Sequence, residues 1–236
     1  MNAGSHPARV NLGDESNAFA RGGNRLCFVD PDNHHRCIKV LRIDRSPEIK
    51  RRSAPWIKRF KPLSSFNDNL QEARVFRRIG QQIGAPAFEL IPHLHGFVST
   101  NFGEGLCCDL ICDDDERISL SLKQYLWQCG RDTAIETALA AFGRQWQQLA
   151  MPSRRLLLHN IVVQCQQGQA NRLYVIDGLG WPDLLPLANI LPALGRHRAG
   201  QRLQDLDRAI DTLLTRQAQD GDFGIHGWLP DTRREF

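Results

Sequence analysis

Short apolar runs separated by turns fill the first half of the chain. Residues 26–29 and 37–41 each form such a run, and the turn sequence Asp30-Pro31-Asp32-Asn33 lies between them. Two more runs follow at 93–100 and 105–112. Runs of this length bounded by Gly, Pro, Asn and Asp are typical of β-strands. The first half is therefore predicted to be rich in β-structure.

One amphipathic helix is predicted among these strands. Between Phe66 and Ile83 the apolar positions recur at spacings of three and four residues, which indicates a helix with one buried stripe. The stripe consists of Leu70, Ala73, Phe76, Ile79 and Ile83. Pro86 ends the helical region.

The second half is predicted to be mainly helical. It follows the acidic run 113–116, and helices are expected to begin at Ser121 and Thr133 because each opens a capping-box pattern. The region 184–216 is also predicted to be helical, in two or three pieces. The breaks are expected at Pro186, Pro192 and the stretch Gly195–Gly200.

A β-hairpin is predicted within this helical half. Its strands are Ile161–Val163 and Leu173–Ile176, with Asn160 just before the first and Asp177 just after the second. A tight hairpin brings these two polar residues together. An amide oxygen beside a carboxylate is the ligation that Mg²⁺ uses with a nucleotide phosphate. A helix-capping Asn and a turn Asp would fit the same pattern.

The composition is that of a soluble globular protein of one large domain or two lobes. The 236 residues are 42% hydrophobic and 24% charged, with no apolar run long enough to span a membrane and no signal segment. Seven cysteines without framework spacing predict reduced, buried thiols in a cytoplasmic protein. Residues 1–14 are given no structural role and are expected to be disordered.

Most of the basic charge lies in one segment. Residues 42–61 carry eight basic side chains against two acidic ones, with Trp56 and Phe60 interleaved. Such a run is most often a solvated insertion, but it can also receive an anionic partner. No RNA- or DNA-binding motif accompanies it, so nucleic acid is an unlikely partner.

A lysine in the second apolar strand calls for a partner. Lys39 lies between Ile38 and Val40, and a lysine seldom occupies such a position without a carboxylate. Glu72, in the amphipathic helix, is the candidate, although a solvent-facing glutamate fits the same spacing. The turn Gly22-Gly23 lies upstream of the lysine, and free backbone N–H groups there would suit phosphates.

The run GGNRLCFVDPDNHHRCIKV, residues 22–40, resembles the signature of the bacterial YrbL family (PhoP regulatory network protein). Members of that family are similar to small, divergent proteins of the protein-kinase-like superfamily, and the resemblance spans roughly residues 18–215. It implies an α+β fold with a β-rich N-lobe containing one long helix, a helical C-lobe and an ATP cleft. The lobes are expected at 15–112 and 113–236.

The resemblance also implies roles for particular residues. Lys39 matches the lysine that holds the α- and β-phosphates of ATP, and Glu72 matches its helix partner. Asn160 and Asp177 match the two Mg²⁺ ligands. The remaining cofactor-binding positions are the turn Gly22, Gly23 and Asn24 and the hinge Leu110, Ile111, Cys112 and Asp113.

The sequence departs from the kinase pattern at two places. The metal-binding triplet reads Asp177-Gly178-Leu179, whereas the literal Asp222-Phe223-Gly224 has no strand before it and is rejected. The usual catalytic aspartate is replaced by Arg155, which cannot accept a proton. The candidates to stand near that missing group are Ser153, His159 and Asp183.

Three functions follow from this pattern. The first is ATP-dependent phosphoryl transfer to a protein or sugar hydroxyl, with Lys39 and Asp177 as the residues that act on the nucleotide. The second is AMP transfer, and the third is a non-catalytic nucleotide-binding pseudokinase that works through a partner. Arg155 favours the second and third.

Overall fold

The computed structural model describes residues 9–181 and 192–235, and they group into two compact units. Unit 1 contains the described residues up to Arg77 together with His93–Leu110. Unit 2 contains Arg78–Pro92 and the described part of Ile111–Glu235.

Unit 1 is built on a five-stranded antiparallel sheet with the order β1-β2-β3-β5-β4. The strands are β1 (Ala20–Arg21), β2 (Arg25–Asp30), β3 (Asn33–Leu41), β4 (Leu94–Thr100) and β5 (Gly103–Asp109). Between β3 and β4 the chain forms α1 (Pro47–Ser53), α2 (Trp56–Arg59) and α3 (Asp68–Gln82).

The two faces of this sheet have different chemistry. Leu26, Phe28 and Ile38 belong to one buried hydrophobic cluster. Successive side chains of a strand point to opposite faces, so Cys27 and Lys39, which are register partners across β2 and β3, lie on the other face. One face is therefore an apolar core, and the opposite face carries a lysine.

Residues 9–14 belong to the segment 1–14 that was expected to be disordered, and they contact the unit 1 sheet, whereas residues 1–8 lie outside the described residues. Val10 forms a parallel bridge with Thr100, and Leu12 is buried in the same cluster as Phe28. The Leu12 amide also donates to the side chain of Asn101 at 2.8 Å. Residues 10–12 thus cover an edge of the unit 1 core.

Gly105 in β5 allows the closest packing in this core. A Cβ at this position would lie 2.6 Å from Cγ2 of Ile38 and 3.2 Å from Cγ1 of Val40. We expect Gly105→Ala to lower the free energy of unfolding by about 1–3 kcal/mol, because overpacking displaces well-packed neighbours. Urea unfolding measures this change. Gly23→Ala, where no atom lies within 4 Å of the added Cβ, is the matched control and should change stability far less.

Unit 2 combines helices with a three-stranded antiparallel sheet of order β6-β7-β8. Its elements are β6 (Leu120–Ser121), α4 (Leu122–Cys129), α5 (Thr133–Gln148), β7 (Ile161–Gln166), β8 (Gln169–Val175) and α6 (Pro192–Ala218). Asp132 caps α5 by accepting the Ile135 amide. Trp146 and Ile135 are fully buried.

Helix α6 corrects the prediction of a broken helical region. It is continuous through Gly195 and Gly200, and the part of the region before residue 192 lies outside the described residues. A Cβ on Gly200 would lie 3.0 Å from Nε2 of Gln147 in α5. Gly200 therefore allows α6 to pack closely against α5, and it does not end α6.

The prediction of an α+β fold is confirmed, with a sheet-rich first part and a mainly helical second part. Within the described ranges, no helix is long and apolar enough to cross a membrane. The cysteines are all free, and three of them are buried (Cys37, Cys107 and Cys108). The expectation of burial is wrong for Cys129, which is exposed at the end of α4, and the other three are half-buried.

Candidate functional site

The lysine of β3 and the glutamate of α3 form a buried ion pair. Nζ of Lys39 lies 2.8 Å from Oε1 of Glu72, and the two side chains are 8% and 9% exposed. The helix is fixed against the strand nearby, because the side-chain amide of Asn69 donates to the Lys39 carbonyl at 2.8 Å. Glu72 is therefore the carboxylate partner expected for a lysine in an apolar strand, and both residues belong to unit 1.

A second cation shares this carboxylate, and sequence reasoning missed it. Arg25 donates to Oε2 of Glu72, so the carboxylate binds one cation on each oxygen. The alternation of β2 could have found it, since Arg25 is two residues from Cys27, the register partner of Lys39. The site is a buried triad of two cations and one anion.

Three thiols lie on the same face as this triad. Cys37 is the register partner of Cys108, and its thiol also hydrogen-bonds that of Cys27. This hydrogen bond lowers the pKa of Cys27, while hydrogen bonds with both neighbours raise the pKa of Cys37. The surroundings of Lys39 are thus polarisable thiols and not hydrocarbon alone.

The glycine turn is a tight β1–β2 connection. The Gly22 amide, which a phosphate-binding turn would leave free, donates to the Arg25 carbonyl at 2.8 Å. The guanidinium of Arg42 donates to the carbonyls of Gly22 and Gly23 at 3.3 and 3.4 Å, and the Arg42 amide donates to the Asn24 carbonyl. Arg42 therefore holds this turn in place, and its guanidinium is also paired with Asp44.

The predicted hinge residues are extensively hydrogen-bonded. In unit 1 the Leu110 amide donates to the His35 carbonyl at 2.8 Å. In unit 2 the Ile111 carbonyl accepts the Ser119 amide, and the Cys112 carbonyl accepts Nε2 of Gln164. Cys112 also forms an isolated antiparallel bridge with Ile118.

The side chain of Asp113 has a structural role that the sequence did not indicate. Its Oδ1 accepts the Ser119 hydroxyl at 2.7 Å and the Cys165 amide at 2.8 Å. Its Oδ2 lies 2.7 Å from Arg234, and the two side chains are 8% and 10% exposed. Arg234 also donates to the Ile118 carbonyl. The carboxylate is fully used inside unit 2.

The hairpin brings together the residues predicted to bind a metal. Asn160 ends a 3₁₀ turn at the start of β7, and its carbonyl accepts the Ile176 amide at 2.9 Å. Asp177 lies two residues after the end of β8. Its side chain is exposed, and its Oδ1 accepts the Gly178 amide at 2.6 Å. The amide and the carboxylate therefore stand at the same end of the hairpin, one at each strand.

Gly178 has a backbone conformation that favours glycine, with a φ of 82°. A Cβ there would lie 3.0 Å from the Arg155 carbonyl and 3.3 Å from Nδ2 of Asn160. The loop before the hairpin also pairs with this segment through an antiparallel bridge between Ser153 and Leu179. These contacts hold Asn160 and Asp177 against one loop.

The position of the missing catalytic aspartate is solvent-exposed. Arg155 is exposed, and its carbonyl faces Gly178. Ser153 is buried, and within the described residues its hydroxyl has no hydrogen-bond partner. His159 is half-buried, and burial, followed by the charges of His226 and Lys123, lowers its pKa. Asp183 lies outside the described residues.

The literal Asp222-Phe223-Gly224 belongs to a structural contact. The ring of Phe223 packs edge-on against Trp127 and Trp228 at 5.5 and 5.1 Å between centroids. The segment follows α6 and contains neither helix nor strand. The triplet is part of the packing of unit 2 beside α4.

Comparisons with known proteins agree with the signature at residues 22–40. The family model described as "PhoP regulatory network protein YrbL" matches residues 10–211. The YrbL protein of Escherichia coli (strain K12) is 27% identical over 187 residues, covering 74% of this chain and 75% of the relative. The YrbL protein of Shigella flexneri is similar to the same extent.

Among solved structures, the crystal structure of Rad53 1–466 in complex with AMP-PNP is similar with a TM-score of 0.48 and 12% identity. The match covers 86% of this chain and 51% of the Rad53 chain, so this chain corresponds to about half of that length. Since the family model matches 202 consecutive residues (10–211) of the 236, the chain belongs to the family of the PhoP regulatory network protein YrbL.

Proposed function

We propose that this protein binds ATP with Mg²⁺ and transfers a phosphoryl group to a hydroxyl of a protein or sugar. The observation that carries the proposal is the buried pair of Lys39 with Glu72 in unit 1. A lysine so placed is oriented by its carboxylate, and a lysine oriented in this way is what kinase-like proteins use to hold the nucleotide phosphates.

Unit 1 supplies the cationic side chains in this proposal. Lys39 and Arg25 both contact Glu72, and their cationic groups are the ones proposed to attract a phosphate. The guanidinium of Arg42 lies at the turn of Gly22 and Gly23, where it is also paired with Asp44. Phosphate is attracted here by side chains, since the Gly22 amide already has a partner.

In unit 2 the donors at the end of the hairpin suit Mg²⁺. An exposed carboxylate on Asp177 and an amide oxygen on Asn160 are hard oxygen ligands, and such sites hold Mg²⁺ with few protein ligands while phosphate oxygens and water complete the shell. When bound, the ion would neutralise the charge that develops on the transferred phosphoryl group. Asn160 and Asp177 would hold and orient it.

Nucleotide binding without phosphoryl transfer, or AMP transfer, is the second candidate. Arg155, at the position of the usual base, supports it, since an arginine cannot accept a proton from the acceptor hydroxyl. Loss of a general base costs about 10²–10⁴ in rate, so slow phosphoryl transfer is compatible with Arg155 as well. Incubation with γ-labelled and with α-labelled ATP distinguishes the candidates, because only AMP transfer moves the α-label onto protein or acceptor.

Binding of ATP is expected to stabilise the protein against heat. Nucleotide at 100 times its dissociation constant adds about 2.7 kcal/mol to folding stability. In Asp177→Ala the Mg²⁺-dependent part of this stabilisation should disappear, because the exposed carboxylate is the proposed ligand. Thermal-shift titration with ATP, with and without Mg²⁺, measures both effects. Asp222→Ala, in the rejected triplet, is the control and should behave like the wild type. A flat titration of folded wild type to millimolar ATP would contradict the proposal.

A further inference from the structure

The segment 42–61, here called the insertion, exposes a group of large apolar side chains. The exposed fractions are 73% for Ile43, 70% for Trp56, 66% for Ile57 and 83% for Phe60. With Ile49, five of the eight large hydrophobic residues that are exposed among the described residues lie here. Exposed hydrophobic surface is therefore concentrated in the insertion, on α1, α2 and the residues that flank them.

Two of these side chains, Trp56 and Phe60, contact each other without being covered. The rings of Trp56 and Phe60 meet edge-on with their centroids 6.4 Å apart, yet both remain mostly exposed. Ile57 follows Trp56 in the sequence of α2 and is also mostly exposed. Clustered exposed apolar residues mark interaction sites, whereas scattered ones are common on any surface.

The same segment carries a surplus of positive charge. Two of its eight basic residues are in ion pairs, Arg42 with Asp44 and Lys50 with Asp68. The other six form no ion pair within the parts of the chain that the structure describes. They are Arg45, Arg51, Arg52, Lys58, Arg59 and Lys61. A partner of this surface must therefore be anionic as well as able to accept hydrocarbon.

We propose that the insertion docks onto the surface of a bilayer that contains anionic phospholipids. Trp56, Ile57 and Phe60 enter the boundary between headgroups and acyl chains, and the neighbouring basic side chains face the lipid phosphates. Aromatic rings with basic residues beside them are typical of segments that lie in this interface. Stable attachment of a peripheral protein takes two signals, and an apolar group beside a polybasic group supplies both.

The side-chain types favour lipid over the other anionic partners. Ile43, Ile49 and Ile57 can neither stack on bases nor donate hydrogen bonds to a nucleic acid, whereas acyl chains accept them without cost. The basic residues are spread along the whole segment, which suits a continuous anionic surface. The inference does not depend on ATP binding, so it goes beyond the proposed function.

Co-sedimentation with vesicles tests the proposal on the full chain. The protein should bind vesicles of phosphatidylcholine mixed with phosphatidylglycerol, bind phosphatidylcholine alone much more weakly, and be released by salt. The double variant Trp56→Ser with Phe60→Ser should lower the partition coefficient by more than about tenfold, because two apolar anchors are lost. Each of Lys58→Gln and Lys61→Gln should lower it by about fivefold.

Matched controls separate the insertion from general surface effects. Ile225→Ser removes an apolar side chain that is 93% exposed in unit 2, and Arg144→Gln removes an exposed charge from α5. Both should leave vesicle binding unchanged. Circular dichroism confirms that each variant is folded.

Three results would overturn the proposal. The first is equal binding to neutral and anionic vesicles. The second is binding that survives the Trp56 and Phe60 substitutions. The third is no vesicle binding by a protein that instead binds an acidic polypeptide or single-stranded DNA through the insertion, which would make the partner a protein or a nucleic acid.

Discussion

Glu72→Gln is expected to lower the free energy of unfolding by about 3–5 kcal/mol, because it removes the one anion of a buried triad. The substitution keeps the size of the side chain but removes the carboxylate that both Lys39 and Arg25 contact. Lys39→Met should cost less, since Glu72 retains Arg25. The order of the two effects is therefore a direct consequence of the second cation.

Denaturant unfolding followed by circular dichroism measures these changes. Lys39→Met combined with Glu72→Gln should cost less than the sum of the single changes, as expected of residues that interact. Glu104→Gln, an exposed glutamate of β5, is the control and should have an effect below about 0.5 kcal/mol. Equal losses for Lys39→Met and Glu72→Gln would mean that Arg25 does not share the carboxylate in solution.

Asp113→Ala is expected to have an effect of similar size in unit 2. Without the carboxylate, Arg234 loses its buried ion-pair partner while its side chain is only 10% exposed. The Ser119 hydroxyl and the Cys165 amide also lose their acceptor. Loss of one member of a buried ion pair costs about 3–5 kcal/mol. The expected result is a large decrease in thermal and urea stability.

A carboxylate near the same arginine provides the control. Asp231 lies 3.8 Å from Arg234 but is 74% exposed, so Asp231→Asn should cost less than about 1 kcal/mol. Arg234→Met combined with Asp113→Ala should be less harmful than the two single effects added together. If Asp231→Asn proved as destabilising as Asp113→Ala, burial would not be the source of the effect.

The strands and the ion pair of unit 1 were predictable because they depend on local patterns. Lys39 lies among apolar neighbours in its strand, so this lysine needs a carboxylate partner. Glu72, in the amphipathic helix that follows, is the carboxylate that the pattern offers. The family followed from the run at residues 22–40. Strand alternation also places Arg25 on the face of Lys39, but a lysine already matched with Glu72 gives no reason to expect a second cation.

Other features could not be deduced from local sequence. Arg234 lies in a segment with little periodicity, and its partner Asp113 is 121 residues away. The glycines of α6 have the composition of a helix break, but Gly200 permits close approach to Gln147 of α5. Tertiary packing overrides local preference in such cases. The roles of Asn160 and Asp177 remain predictions, although the hairpin brings them to the same end.

The Asp113–Arg234 pair sets an order of events during protein synthesis. A chain elongating at about 5–20 residues per second needs about 6–24 s to add the 121 residues between the two partners. The residues of the unit 1 sheet, in contrast, are all present once Leu110 has been added. The sheet of unit 1 can therefore form early in synthesis. Asp113, in contrast, stays exposed to water until Arg234 has left the ribosome. Premature termination before Arg234 would leave a second unit whose Asp113 has lost its buried arginine partner.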